Sequence, residues 1–75
     1  MLRQKGVQMH LEVGQVYRVN HTRKGTFTIR LDHFDEEWAT GYIVEGTADA
    51  MLDYNKVGVG EPITFRKTFA TFTKV

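Results

Sequence analysis

Between residues 26 and 32, within a segment that runs on to Phe34, apolar and polar side chains change places at every step. Phe27, Ile29 and Leu31 alternate with Thr26, Thr28, Arg30 and Asp32. A period of two belongs to a strand with one face in a core and the other in water. Such a strand is not stable alone; it needs neighbouring strands that share its apolar face. A chain of 75 residues must therefore supply those neighbours from its remaining segments.

It does so at regular intervals. Residues 16–20 read as a first strand, with Tyr17 and Val19 on one face and Val16, Arg18 and Asn20 on the other. A polar connection ending in Gly25 joins it to the strand at 26–34. After the Asp35-Glu36 turn, residues 37–45 form a third strand in which two sets compete for the core. These are Trp38, Thr40, Tyr42 and Val44 against Ala39, Gly41 and Ile43, and a bulge at Gly41 would reconcile them. In residues 47–55, Ala48, Met51 and Leu52 fall at helical spacing behind a capping Thr47, with Asp49 near the positive end. That predicts one or two helical turns. Pro62 opens a fourth strand, where Ile63 and Phe65 alternate with Thr64 and Arg66. A break at Lys67 and Thr68 leads into a last strand over 69–74.

The expected architecture is all-β, one small five-stranded barrel over residues 9–75. Residues 1–8 are polar and aperiodic, and read as a flexible N-terminal tail, with Met9 as an alternative start. Two barrel types share this inventory. An SH3-like barrel has a short break between its last two strands; an OB-like barrel has a helix between the third and fourth. The small size favours the SH3-like type.

Catalysis finds little to work with. The chain has no Cys and no Ser, so thiolate ligands and thiol or serine nucleophiles are excluded. His10, His21 and His33 lack ligand spacing, so neither metal nor cofactor is expected. Alternation places Asp32 and His33 on opposite faces, which argues against a shared acid–base site. No segment approaches the roughly 20 apolar residues of a membrane span, and the absence of Cys fits a cytoplasmic protein.

The net charge of +1 conceals a segregation. Residues 1–30 carry Arg3, Lys5, Arg18, Arg23, Lys24 and Arg30 against Glu12 alone. Residues 31–61 carry Asp32, Asp35, Glu36, Glu37, Glu45, Asp49, Asp53 and Glu61 against Lys56. Residues 62–75 add Arg66, Lys67 and Lys74. Two non-enzymatic readings follow. In the first, Arg18, Arg23, Lys24, Arg30, Arg66 and Lys67 contact the phosphates of DNA or RNA, with Trp38 or Tyr42 nearby. In the second, Asp35, Glu36, Glu37, Asp49 and Asp53 dock on a protein partner, with Trp38 or Tyr54 as the aromatic anchor. Attraction between the two blocks would also give self-association.

The run Val16-Tyr17-Arg18-Val19-Asn20, followed by Lys24-Gly25-Thr26-Phe27-Thr28-Ile29, resembles the start of cold-shock domains, OB-like barrels that bind single-stranded nucleic acid. The loop is one residue longer here, and the stacking aromatics are reduced to Phe27, which alternation places in the core. A wider pattern joins Val13-Gly14-Gln15-Val16-Tyr17, Arg23-Lys24-Gly25-Thr26-Phe27, Ile43-Val44-Glu45-Gly46 and Gly60-Glu61-Pro62-Ile63-Thr64. It resembles small uncharacterised proteins of phages and other mobile elements. That resemblance implies binding of nucleic acid, or binding and inhibition of a host protein in the manner of anti-CRISPR and host-takeover proteins.

Overall fold

The computed structural model describes residues 10–49 and 56–75. The expected tail over 1–8 and most of the expected helical turn lie outside them. Val16–His21 (β1) and Gly25–Phe34 (β2) form an antiparallel hairpin, with Val19 opposite Phe27 and Tyr17 opposite Ile29. This register brings the apolar positions of both strands to one face, which the period of two demands. The connecting turn closes at Gly25 with φ of 91°, a conformation that costs glycine little and other residues more.

Trp38–Gly46 (β3) pairs with β2, placing Ile43 opposite Ile29 and Gly41 opposite Leu31. Ala48–Asp49 (β4) and Lys56–Val57 (β5) form a separate two-stranded ribbon. Pro62–Arg66 (β6) then pairs with β3, and a 3₁₀ turn at Lys67–Phe69 leads into Ala70–Lys74 (β7), which pairs with β1. The main sheet is antiparallel, in the order β6-β3-β2-β1-β7.

That order has a geometric consequence. In a flat sheet of five strands the two edges lie about 19 Å apart, four intervals of ~4.8 Å. The edges here are β6 and β7, joined by a three-residue 3₁₀ turn, which advances only about 6 Å. The sheet must therefore curl until its edges approach. Phe65 of β6 and Phe72 of β7 stack across the gap with ring centroids 5.8 Å apart. Inside the curl lie Tyr17, Val19, Phe27, Ile29, Leu31, Ala39, Ile43, Ile63 and Phe65, together with Ala48 from the ribbon.

The structure resolves one open choice and differs from the sequence expectation in two details. The core takes Ala39, Gly41 and Ile43 from β3 and turns Trp38, Tyr42 and Val44 outward. The register shifts fall at Val44 of β3 and Asp32 of β2, and Gly41 lies in regular pairing between them. Gly41 serves close packing instead: a Cβ there would stand 2.7 Å from Ile29 Cδ1 and 2.8 Å from the Arg30 carbonyl oxygen. Finally, the helix expected to start at Thr47 does not form there. Ala48 and Asp49 are extended, because pairing with Val57 and Lys56 and full burial of Ala48 outweigh a local helical spacing.

One buried polar residue ties the hairpin turn to the core. His21 is 5% exposed, and its Nδ1 accepts the backbone N–H groups of Arg23 and Lys24, both at 3.1 Å. Its ring packs on Phe65 and Phe69. Burial, then the charges of Lys24 and Arg23, lower its pKa. The unfolded chain therefore takes up a proton at His21 before the folded chain does, starting near pH 6.5. Its stabilising contribution is complete above that pH and is lost as pH falls below it. Thermal melts between pH 8 and pH 5 should show a falling Tm that is flatter in His21→Asn, whose carbonyl can accept the same bonds without titrating. Equal slopes in the two proteins would assign the pH dependence elsewhere.

Candidate functional site

Outside the curl, the sheet presents one continuous face whose composition follows from the pairing register. One row across the strands reads Thr73, Arg18, Thr28 and Glu45. The next reads Val16, Arg30, Tyr42 and Pro62. Beyond it lie His33, Thr40 and Thr64, then Trp38 beside Arg66. Alternation, reset by the register shifts at Val44 and Asp32, places these residues opposite the core. Among the described residues, the face thus gathers three arginines, one histidine, a series of threonines and two large aromatics. Glu45 and Asp32 lie on it, and the Glu37 carboxylate reaches it at Arg66.

Arg18, Arg30 and Arg66, from three different strands, share this face as their alternation required. Arg18 and Arg30 form no ion pair among the described residues. Arg66 sits over the Trp38 ring, 4.8 Å from its centroid, while its Nη1 lies 3.1 Å from Glu37 Oε2. Both members of that pair are well exposed, so water screens it and it contributes little to stability. Trp38 remains 39% exposed and Tyr42 46%. The hydroxyls of Thr40 and Thr64 are 2.8 Å apart between the two aromatics.

The other three expected phosphate contacts lie elsewhere. Arg23 and Lys24 occupy the β1–β2 turn, at the opposite end of β2 from Trp38, and Lys24 Nζ donates to the Asp49 carbonyl oxygen at 3.3 Å. Lys67 reaches back to the acidic turn, where its Nζ donates to the Asp35 carbonyl oxygen and lies 5.2 Å from the Phe34 centroid.

The acidic turn is a built structure. One Asp35 carboxylate oxygen accepts the N–H groups of Trp38 at 2.7 Å and Glu37 at 2.9 Å. The Trp38 bond first, then the Glu37 bond, hold the Asp35 pKa below the usual carboxylate value. The turn exposes Glu36 and fixes the point where Trp38 enters β3. Asp49 pairs with Lys56 at 2.6 Å, apart from this turn, and Asp53 and Tyr54 lie outside the described residues.

Asp32 and His33 overturn the alternation argument: the bulge at Asp32 brings its Oδ2 to 2.9 Å from His33 Nδ1. Sequence reasoning did not single out Thr40, Thr64 or Thr28 as part of a shared face. Period-two spacing from Trp38 contains Thr40 and Tyr42, but it did not say which of the two β3 sets points outward. Among the described residues, no group of three or more His, Asp or Glu side chains is placed to hold a metal ion, and no helix is long and apolar enough to cross a membrane. No protein-family model matches the chain, and neither a curated protein nor a solved structure matches it.

Proposed function

We propose that this chain is a non-enzymatic nucleic-acid-binding domain, built as a small five-stranded barrel of the SH3-like type and reading its ligand on the outer sheet face. The barrel assignment is supported by the curled sheet, by β1 lying between β2 and the last strand, and by the 3₁₀ turn linking the two edge strands. The functional assignment rests on one observation above all. The outer face pairs each exposed aromatic with an arginine in register, Trp38 with Arg66 and Tyr42 with Arg30, among threonine hydroxyls. Arginines draw in and position phosphates, hydroxyls donate to phosphate oxygens, and aromatic rings offer base-stacking surfaces.

Anisotropy titrations with labelled DNA and RNA, single- and double-stranded, test this. Binding should be detectable at low salt and weaken linearly in log K against log salt. Each phosphate-binding arginine removed, Arg18→Ala or Arg30→Ala, should lower the slope by about 0.7–0.9. Absence of binding to all four polymers at low salt would sink the proposal.

The acidic end supports a second reading, in which Asp35, Glu36, Glu37 and Trp38 dock on a protein partner, as an inhibitor from a mobile element would. Its specific support is the Asp35 clip, which pre-orders Glu37 and Trp38. A chain inert toward all four polymers would favour it.

A further inference from the structure

Trp38 and Tyr42 lie four residues apart on one strand and point to the same side. At about 3.3 Å per residue their rings are mounted roughly 13 Å apart along β3. Both are on the strand that runs between β2 and β6, so the interval is set by a backbone paired on both edges. We infer that Trp38 and Tyr42 are two base-stacking platforms of a track along β3 that takes a single-stranded polynucleotide and rejects a duplex. This rests on the nucleic-acid reading above and narrows it.

The choice of single strand comes from what each surface can reach. A ring stacks only on a base whose face is open, and a duplex hides its base faces inside the stack. The 13 Å interval covers about four bases at the 3.4 Å rise of a stacked strand. A strand that keeps its stack offers no open face along that interval, whereas an unstacked strand can lay one base on each ring and loop the nucleotides between. Those intervening phosphates pass the Thr40 and Thr64 hydroxyls. Arg30, beside Tyr42 on β2, and Arg66, beside Trp38 on β6, flank the track from opposite sides. Among the described residues, the Arg66 side chain is held by the exposed Glu37 pair and the Trp38 ring, contacts that a phosphate and a base can replace.

Trp38 is the single tryptophan of the chain, so its emission reports on this surface alone. The intact protein is titrated with oligo-dT, oligo-rU and a blunt DNA duplex of the same length, reading tryptophan emission and labelled-oligonucleotide anisotropy together. The single strands should quench Trp38 and bind at least tenfold more tightly than the duplex. Comparison of dT with rU shows whether the track distinguishes DNA from RNA. Tyr42→Ala, at an exposed position, should weaken single-strand binding on the order of ten- to a hundredfold and so narrow or remove the preference for single strand over duplex. Equal affinity for single strand and duplex with unquenched Trp38 would overturn the stacking track yet leave nucleic-acid binding standing. No anisotropy change with any polymer would remove both.

Discussion

Truncating Phe65 to alanine is expected to destabilise the domain by about 3–5 kcal/mol, the cost of deleting a large buried ring and leaving its cavity. Phe65 is 1% exposed and meets three other rings from three different strands. Its centroid lies 5.7 Å from His21 of β1, 5.7 Å from Phe27 of β2 and 5.8 Å from Phe72 of β7. Phe65 thus joins both edges of the curled sheet to its centre. A single core in a domain below roughly 70–80 residues rarely supplies more than about 3–5 kcal/mol of net stability. Phe65→Ala should therefore be largely unfolded at 25 °C, with near-UV circular dichroism and the urea transition both lost. Phe65→Leu, which keeps most of the volume, should fold with a lowered midpoint. A Phe65→Ala protein with an unchanged urea midpoint would mean that the edges do not close over this ring.

The second large effect is expected from one added methyl group. Gly41→Ala places a Cβ against Ile29 Cδ1 and, at 2.8 Å, against the Arg30 carbonyl oxygen. The Ile29 methyl can rotate away, but the carbonyl belongs to the paired backbone of β2 and moves only if the strand moves. Overpacking of this kind costs about 1–3 kcal/mol. With about 4–8 °C per kcal/mol in a domain of this size, Tm should drop by roughly 4–24 °C. Gly58→Ala makes a suitable control, since its added Cβ meets nothing within 4 Å and its φ is not in the left-handed region. It should melt at or slightly above the wild-type temperature, because alanine restricts the unfolded chain. If Gly41→Ala melts with the control, the close approach of β2 and β3 is not as tight as these distances state. The substitution also bears on the candidate site. Gly41 lies between Trp38 and Tyr42, so a shifted β3 changes their setting and should weaken single-strand binding beyond what partial unfolding explains.

Much of the fold was legible from local pattern. Tyr17 and Val19, Phe27, Ile29 and Leu31, and Ile63 and Phe65 all point inward as their alternation required. Alternation is a property of the extended backbone itself, so it survives whatever neighbours a strand acquires. The same rule placed Arg18, Arg30 and Arg66 outward. The break at residues 67–69 was legible too, as the 3₁₀ turn between the last two strands.

Other features were hidden for identifiable reasons. In β3 both alternating sets contain residues that tolerate burial, so local pattern could not choose between them. The choice came from space, because where β3 crosses β2 only a residue without a Cβ fits, which turns Gly41 inward and Trp38 and Tyr42 outward. At residues 48–49 a helical spacing yielded to pairing with Lys56 and Val57, which lie beyond any local window. Asp32 and His33 met because a bulge suspends alternation at one step, and a bulge depends on the partner strand. The six basic residues taken as one cluster separate into three places, since charge counted along a chain carries no information about which turn lies at which end of a hairpin.

By itself, then, the sequence determined the five strands of the main sheet, the inward apolar set of three of them, and three arginines on the solvent side. Only the tertiary structure decided which side of β3 faces water, which arginine stands beside which aromatic, and that the two sheet edges approach closely enough for Phe65 and Phe72 to stack. The reason is the same in each case: the direction of a side chain is set by its own backbone, but its neighbours are set by register and curvature, which belong to the whole sheet.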